Sequence, residues 1–218
     1  MVRLRARCLM VGDPAVGKSA LSQMFHSDGT LFQKNYSMTT GVELLIKSVN
    51  IPESGDSVVS PLVARRRVVA LDRSRNRLKS ERKYFPLQEL YIIDSAGKES
   101  LVEANEKMWG ELSLLCLVFD LTSERSFSNC ARWMERLRAH CRGRHVPGVL
   151  VGNKSDLSAR REVQAAVAQE WARNQGLEYY ETSAKEMEKC DAPLLSLARA
   201  FHSLYQDRRE AIQNLSPG

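Results

Sequence analysis

Gly12-Asp13-Pro14-Ala15-Val16-Gly17-Lys18-Ser19 is the stretch that decides the fold. It fits G-x-x-x-x-G-K-[ST], the loop that wraps a nucleotide's phosphates. Its two glycines let the backbone turn N–H groups toward phosphate oxygens, and Lys18 adds a point charge toward the β and γ groups. Ser19 opens the next helix, where its hydroxyl can ligate Mg2+ and the helix N-terminus favours an anion. All eight residues, Gly12, Asp13, Pro14, Ala15, Val16, Gly17, Lys18 and Ser19, are candidate nucleotide contacts. A plain glycine turn between strand and helix is the alternative. The flanks favour the loop: Leu4 to Val11 is an apolar run that suits a buried parallel strand. Ala20, Leu21, Met24 and Phe25 then recur at helical spacing, which predicts a helix from Lys18 to His26.

The 218 residues, 43% hydrophobic, suffice for one domain with a sizeable core. No apolar run reaches the ~18 residues of a membrane span, and no long apolar leader opens the chain. The five cysteines (Cys8, Cys116, Cys130, Cys141, Cys190) lack C-x-x-C spacing, and the four histidines are scattered. Reduced, buried thiols are expected rather than a disulfide frame or a zinc site. The net charge of +6 is local. Residues 59–88 carry nine basic side chains against two acidic ones, and the rest of the chain is close to neutral.

Further motifs fall at strand ends, where open α/β sheets bind ligands. Asn153-Lys154-Ser155-Asp156 follows Val149-Leu150-Val151. The Asp156 carboxylate can accept from guanine N1–H and the exocyclic amine, a donor pair that adenine lacks. Glu181-Thr182-Ser183-Ala184-Lys185 follows another short strand, and its amides can cap the base oxygen. That makes Asn153, Lys154, Asp156, Ser183, Ala184 and Lys185 candidates for the base. Asp94-Ser95-Ala96-Gly97 ends the strand Leu90-Tyr91-Ile92-Ile93. Asp94 is placed to hold Mg2+ through water, and the Gly97 amide to reach a γ-phosphate. Thr39, ahead of the strand beginning at Val42, is the candidate metal ligand that senses the γ-phosphate. Either tetrad alone is also compatible with an ordinary strand-to-helix turn.

Taken in order, these motifs resemble the small GTPases of the Ras superfamily, nearest the Rab branch, and within it the Rab-like GTPases of intraflagellar transport complex B. The likeness is carried by the phosphate loop, Ser27-Asp28-Gly29, Phe32-Gln33-Lys34, Gly55-Asp56-Ser57-Val58, Asp94 to Glu99, Pro147 to Lys154 and Lys185 to Glu188. It covers nearly the whole chain except 59–88. It implies GTP or GDP with Mg2+ as ligands, and a place in the cytoplasm and the cilium, at basal body and flagellum. It also implies a small β-sandwich partner subunit and coiled-coil subunits of the same complex. The implied fold is α/β: one P-loop small GTPase domain over 1–218, a six-stranded mixed sheet with helices on both faces.

Four features depart from that pattern. Lys98 stands where the family places a water-orienting glutamine, and an ammonium donates hydrogen bonds but accepts none. Slow hydrolysis with binding intact is expected; a harmless solvent-facing lysine is the other reading. Pro14 lacks an N–H where a small residue is usual. The chain ends Asn214-Leu215-Ser216-Pro217-Gly218 without the cysteines of a prenyl anchor, so no direct lipid anchor is expected.

The fourth departure is the basic stretch 59–88, which interrupts a hairpin usually joined by a few residues. Its weak periodicity reads as a disordered insertion between strands two and three. Val59-Ser60 and Phe85-Pro86-Leu87-Gln88 are encodable as splice-donor-like and splice-acceptor-like sequences, so a retained in-frame intron stands beside a lineage-specific loop.

The expected strands are Arg3–Val11, Val42–Ile51, Gln88–Asp94, Ser113–Asp120, Pro147–Asn153 and Leu177–Glu181. Helices are expected after Lys18, Lys98, Glu124, Ala159 and Glu186, with Trp133, Leu137, Trp171, Leu197, Phe201 and Leu204 as core positions. Three functions remain open at this point. One is a guanine-nucleotide switch, another a nucleotide-stabilised subunit that does not switch. The last is a nucleic-acid binder using the arginine cluster, which the lack of interleaved aromatics disfavours.

Overall fold

A computed structural model describes residues 3–28, 37–50, 87–187 and 189–215. The bulk of the proposed insertion, together with Gly29, Phe32-Gln33-Lys34, Ile51, Glu188 and the last three residues, lies outside them. The strands are β1 (Arg3–Val11), β2 (Val42–Asn50), β3 (Leu87–Ser95), β4 (Leu114–Asp120), β5 (Gly148–Asn153) and β6 (Glu178–Glu181). They form one sheet in the order β2-β3-β1-β4-β5-β6. Only the β2–β3 pair is antiparallel. This is the mixed sheet that the sequence predicts, with β2 at the edge.

Alternation along the strands sorts the core into two layers. Ala6, Cys8 and Met10 of β1, Leu90 and Ile92 of β3, and Cys116 and Val118 of β4 face one side. There they meet Leu21, Met24 and Phe25 of α1 (Lys18–His26). Leu9, Val11, Ile93, Leu117 and Phe119 face the other. That face is covered by α2 (Glu99–Asn105), α4 (Cys130–His140) and α5 (Ala165–Gln175), through Val102, Trp133, Leu137 and Ala168 among others. A short α3 (Glu124–Ser128) precedes α4, its start capped by the Ser123 hydroxyl accepting from the Ser126 N–H. The last helix, α6 (Asp191–Leu215), returns to the first face through Leu194 and Leu197. Each such buried aliphatic or aromatic side chain contributes roughly 2 kcal/mol. All five cysteines are buried. No helix among the described residues is long and apolar enough to cross a membrane.

The structure corrects several expected boundaries. α5 begins at Ala165, not near Ala159, because Ser155–Arg160 forms a 3-10 segment broken by non-helical Leu157. The final helix begins at Asp191, not Glu186, because Met187 and Lys189 take left-handed backbone conformations that interrupt a helix. Leu204 is exposed and lies beyond the core, where α6 runs past the sheet. β3 starts one residue before the expected Gln88, with Leu87 paired to Asn50 and Gln88 to Val49.

Candidate functional site

The C-terminal ends of β1, β3, β5 and β6 bring the motifs together on one edge of the sheet. The phosphate loop starts where β1 ends, with Ala15 and Gly17 in left-handed conformations ahead of α1. Such alternation forms a concave nest of N–H groups. Lys18 is buried, and its Nζ donates to the carbonyl oxygens of Gly12 and Asp13 at 3.0 and 2.9 Å. Burial pushes its pKa down to about 8, against the pull of Asp94 and Asp13.

A second cluster assembles beside it. The Ser19 hydroxyl lies 2.7 Å from that of Thr39 and donates to Asp94 Oδ2. Asp94 Oδ1 is buried with no hydrogen-bond partner among the described residues. Burial lifts the Asp94 pKa to about 6, despite the Ser19 bond and the Lys18 charge. Two hydroxyls and an under-satisfied carboxylate form a hard oxygen-donor set, which fits Mg2+. Thr39 is thus brought to this oxygen-donor cluster from the loop ahead of β2. That loop is tied to β3 by the Ala96 N–H donating to the Gly41 carbonyl at 3.1 Å.

Gly97 explains itself by proximity. A Cβ there would lie 2.6 Å from the Asp13 carbonyl carbon and from Pro14 N, so only glycine lets this turn press against the phosphate loop. Lys98 follows as the N-cap of α2, exposed and without a side-chain capping bond. Its cation sits at the positive end of that helix, mildly unfavourable by about 0.3–1 kcal/mol.

The base motifs brace one another. Buried Asn153 donates through Nδ2 to the Val16 carbonyl at 2.9 Å. Its Oδ1 accepts from the Thr182 hydroxyl and the Ala184 N–H, both at 3.2 Å. Asn153 therefore clamps the phosphate loop to the segment after β6. Gly17 is needed here too, since a Cβ would fall 2.2 Å from Asn153 Nδ2. Asp156 Oδ1 accepts from the Ser183 hydroxyl at 2.7 Å, and Lys185 Nζ stands 3.7 Å from Oδ2. Lys154, in a left-handed conformation, pairs with Asp120 at 2.6 Å. All the sequence-derived base candidates thus occupy one side of the edge.

Asp120 and Asn129 were not singled out by the motifs. The signal for Asp120 was present: it ends β4 on the ligand edge, as Asp94 ends β3. Asn129 and Trp133 reach Asp13 from α4. Trp133 shows only a helical apolar spacing in sequence, which hides its polar edge.

A family model described as "Ras family" matches residues 7–59 and 67–203, most of the chain. The chain belongs to the Ras family. It is 47% identical over 215 residues to "Intraflagellar transport protein 27 homolog" of Bos taurus, covering 99% of this chain and 100% of that one. It is 35% identical over 215 residues to "Intraflagellar transport protein 27" of Chlamydomonas reinhardtii, covering 97% and 91%. It is also 29% identical over 212 residues to "Ras-related protein Rab-13" of Canis lupus familiaris, covering 97% and 87%. The unmatched residues between 59 and 67 of this Ras-family chain fall inside the basic stretch.

The Ser19–Thr39–Asp94 cluster makes a direct prediction. Ser19→Asn removes a hydroxyl donor and should weaken GTP binding in Mg2+ about tenfold more than GDP binding. Competition titrations with the two nucleotides measure this; an unchanged GTP/GDP ratio excludes Ser19 as a metal ligand.

Proposed function

We propose that this chain is a guanine-nucleotide-binding, Rab-like GTPase that works as a subunit in intraflagellar transport, with slow intrinsic hydrolysis of GTP. The observation that carries the reading is the convergence of Lys18, the Ser19–Thr39–Asp94 cluster and the Asp156–Ser183 pair on one sheet edge. In this reading Gly12 to Ser19 receive the phosphates. Ser19 and Thr39 hold Mg2+, with Asp94 acting through water, and the Gly97 amide meets the γ-phosphate. Mg2+ held there would offset negative charge on the nucleotide's phosphates. Asp156 selects guanine, with Lys154, Ser183, Ala184 and Lys185 framing the base.

The transport role rests on the names of the similar proteins, intraflagellar transport protein 27 of two lineages. It carries with it a ciliary and cytoplasmic location, a β-sandwich partner and coiled-coil subunits of the same complex. Thr39 touching Ser19 favours a switch over a merely nucleotide-stabilised subunit, because that contact ties the loop ahead of β2 to the metal cluster. Partner affinity that ignores the nucleotide would reverse that preference.

The first experiment is to release and identify the nucleotide from the purified chain and to time its turnover. Guanine nucleotide with slow turnover is expected; adenine nucleotide, or none with no uptake of GDP, overturns the reading. Lys98→Gln should raise GTP turnover about tenfold, or ~1.4 kcal/mol in the barrier. The glutamine can both accept from and donate to the attacking water. Rapid turnover by the unmodified chain would show that Lys98 is not limiting.

A further inference from the structure

The Asp13 carboxylate is bound on both oxygens by one helix. Asn129 Nδ2 donates to Oδ2 at 2.6 Å, and Trp133 Nε1 donates to Oδ1 at 2.9 Å. Asn129 stands at the residue before α4, its side chain given to Asp13 rather than to the helix start, and Trp133 lies one turn on, so both reach out from the same face. Trp133 is only 3% exposed, so its indole N–H has little access to water as a substitute partner.

The backbone carried by this side chain is the crossing point of the phosphate loop. Lys18 hangs from the Asp13 carbonyl, and Gly97 packs against the Asp13–Pro14 peptide with no room for a methyl group. Pro14 brings no N–H with which the next residue could fix the turn. The side chain of Asp13 is left to hold it.

We propose that Asp13, Asn129 and Trp133 form a positioning tether for the phosphate loop that sets the rate of guanine-nucleotide release. The inference rests on the nucleotide reading above. A loop preset to receive phosphate binds tightly because it need not be ordered on binding. Freed from α4, the Asp13 peptide can rotate, and both the Lys18 anchor and the Gly97 contact move with it. The unanchored carboxylate would also be free to approach a bound phosphate and repel it. Affinity lost in this way appears mainly as faster dissociation. The same helix reaches the segment after Lys98, since Arg132 and Arg136 pair with Glu99 of α2 at 3.0 and 3.2 Å. α4 therefore braces the phosphate loop on one side and the start of α2 on the other.

The test is release of a fluorescent GDP, chased with excess unlabelled GDP, from the full chain and from Trp133→Phe, Asp13→Ala, Asp13→Asn and the double variant Asp13→Ala/Trp133→Phe. Trp133→Phe keeps an aromatic ring in the core but loses the indole N–H together with its five-membered ring, so it is set beside Asp13→Ala, which removes the acceptor and leaves the indole in place. It and Asp13→Ala should each speed release about tenfold, the loss of charge-assisted hydrogen bonds. Asp13→Asn should fall between Asp13→Ala and the unmodified chain, because its amide oxygen still accepts one bond. The double variant should be no faster than Asp13→Ala alone. A merely structural role would give neither the partial rescue nor the non-additivity. Release within twofold of the unmodified chain in Trp133→Phe, or additive effects in the double variant, overturns the tether. An unmodified chain that fails to retain GDP at all overturns the nucleotide reading itself, and the tether with it.

Discussion

The Asp156→Asn variant should bind GDP and GTP about a thousandfold more weakly, and xanthine nucleotides should become the better ligands. The Asp156 side chain is 5% exposed and already oriented by the Ser183 hydroxyl at 2.7 Å. It cannot swing away to let water serve the base. Two hydrogen bonds from guanine to this carboxylate, at roughly 1.5–3 kcal/mol each, account for the loss. Xanthine carries a carbonyl where guanine carries its amine, so the new amide N–H finds an acceptor there. The same logic rejects adenine, which offers no paired donors and would leave this carboxylate without the two it would meet on guanine. Competition of GDP, xanthosine diphosphate and ADP against a fluorescent nucleotide measures all three. Equal affinity for GDP and ADP in the unmodified chain would remove Asp156 from the base site.

Deleting residues 59–88 should raise the melting temperature by about 10 °C. The reason lies at Gln88, which is fully buried with neither amide atom partnered among the described residues. It is paired in register with Leu4 on one side and Val49 on the other, and shares the core face of Leu90 and Ile92. An orphaned buried amide costs about 1–3 kcal/mol. In the shortened chain Val58 directly precedes Glu89 and takes this register position, putting an apolar side chain where the amide is stranded. Releasing a thirty-residue loop adds roughly 1–2 kcal/mol. Together these give about 3 kcal/mol, or ~10 °C for a domain of this size. Gln88→Val in the full-length chain separates the two contributions and should recover half of the rise or more. This is the argument for reading 59–88 as an insertion: the residue at its end does not suit the slot it fills. A deletion variant that melts lower, or that holds GDP but loses its partner, would make the stretch an integral loop. Transcripts lacking these ninety nucleotides would favour the retained intron.

Strands were the most legible part of the fold. β1 and β3 to β5 are apolar runs with turn residues at their ends, and the structure moves their limits by a residue at most. The helices after the base motifs were less legible, because their starts depend on backbone conformations that composition does not reveal. Met187 and Lys189 are ordinary helix formers by type, yet both adopt left-handed geometry ahead of α6. At the site, the fixed spacing of the phosphate loop and of Asn153 to Asp156 made those residues readable from sequence. Contacts between motifs were not. That Asn153 clamps Val16 to Ala184, or that Trp133 turns a donor toward Asp13, depends on partners more than thirty positions apart or on the polar edge of an apolar ring.

The five buried thiols give the molecule a built-in clock. Burial pushes Cys8 up to about 12 and Cys116 well above its ordinary value, so neither offers a thiolate to an alkylating reagent while the sheet is intact. They sit on neighbouring central strands, β1 and β4, whose separation requires opening the whole core. Mass added by an alkylating reagent at these two positions therefore counts global unfolding events rather than local fraying. Slower labelling with added guanine nucleotide would read the ligand's stabilisation directly, without any introduced probe.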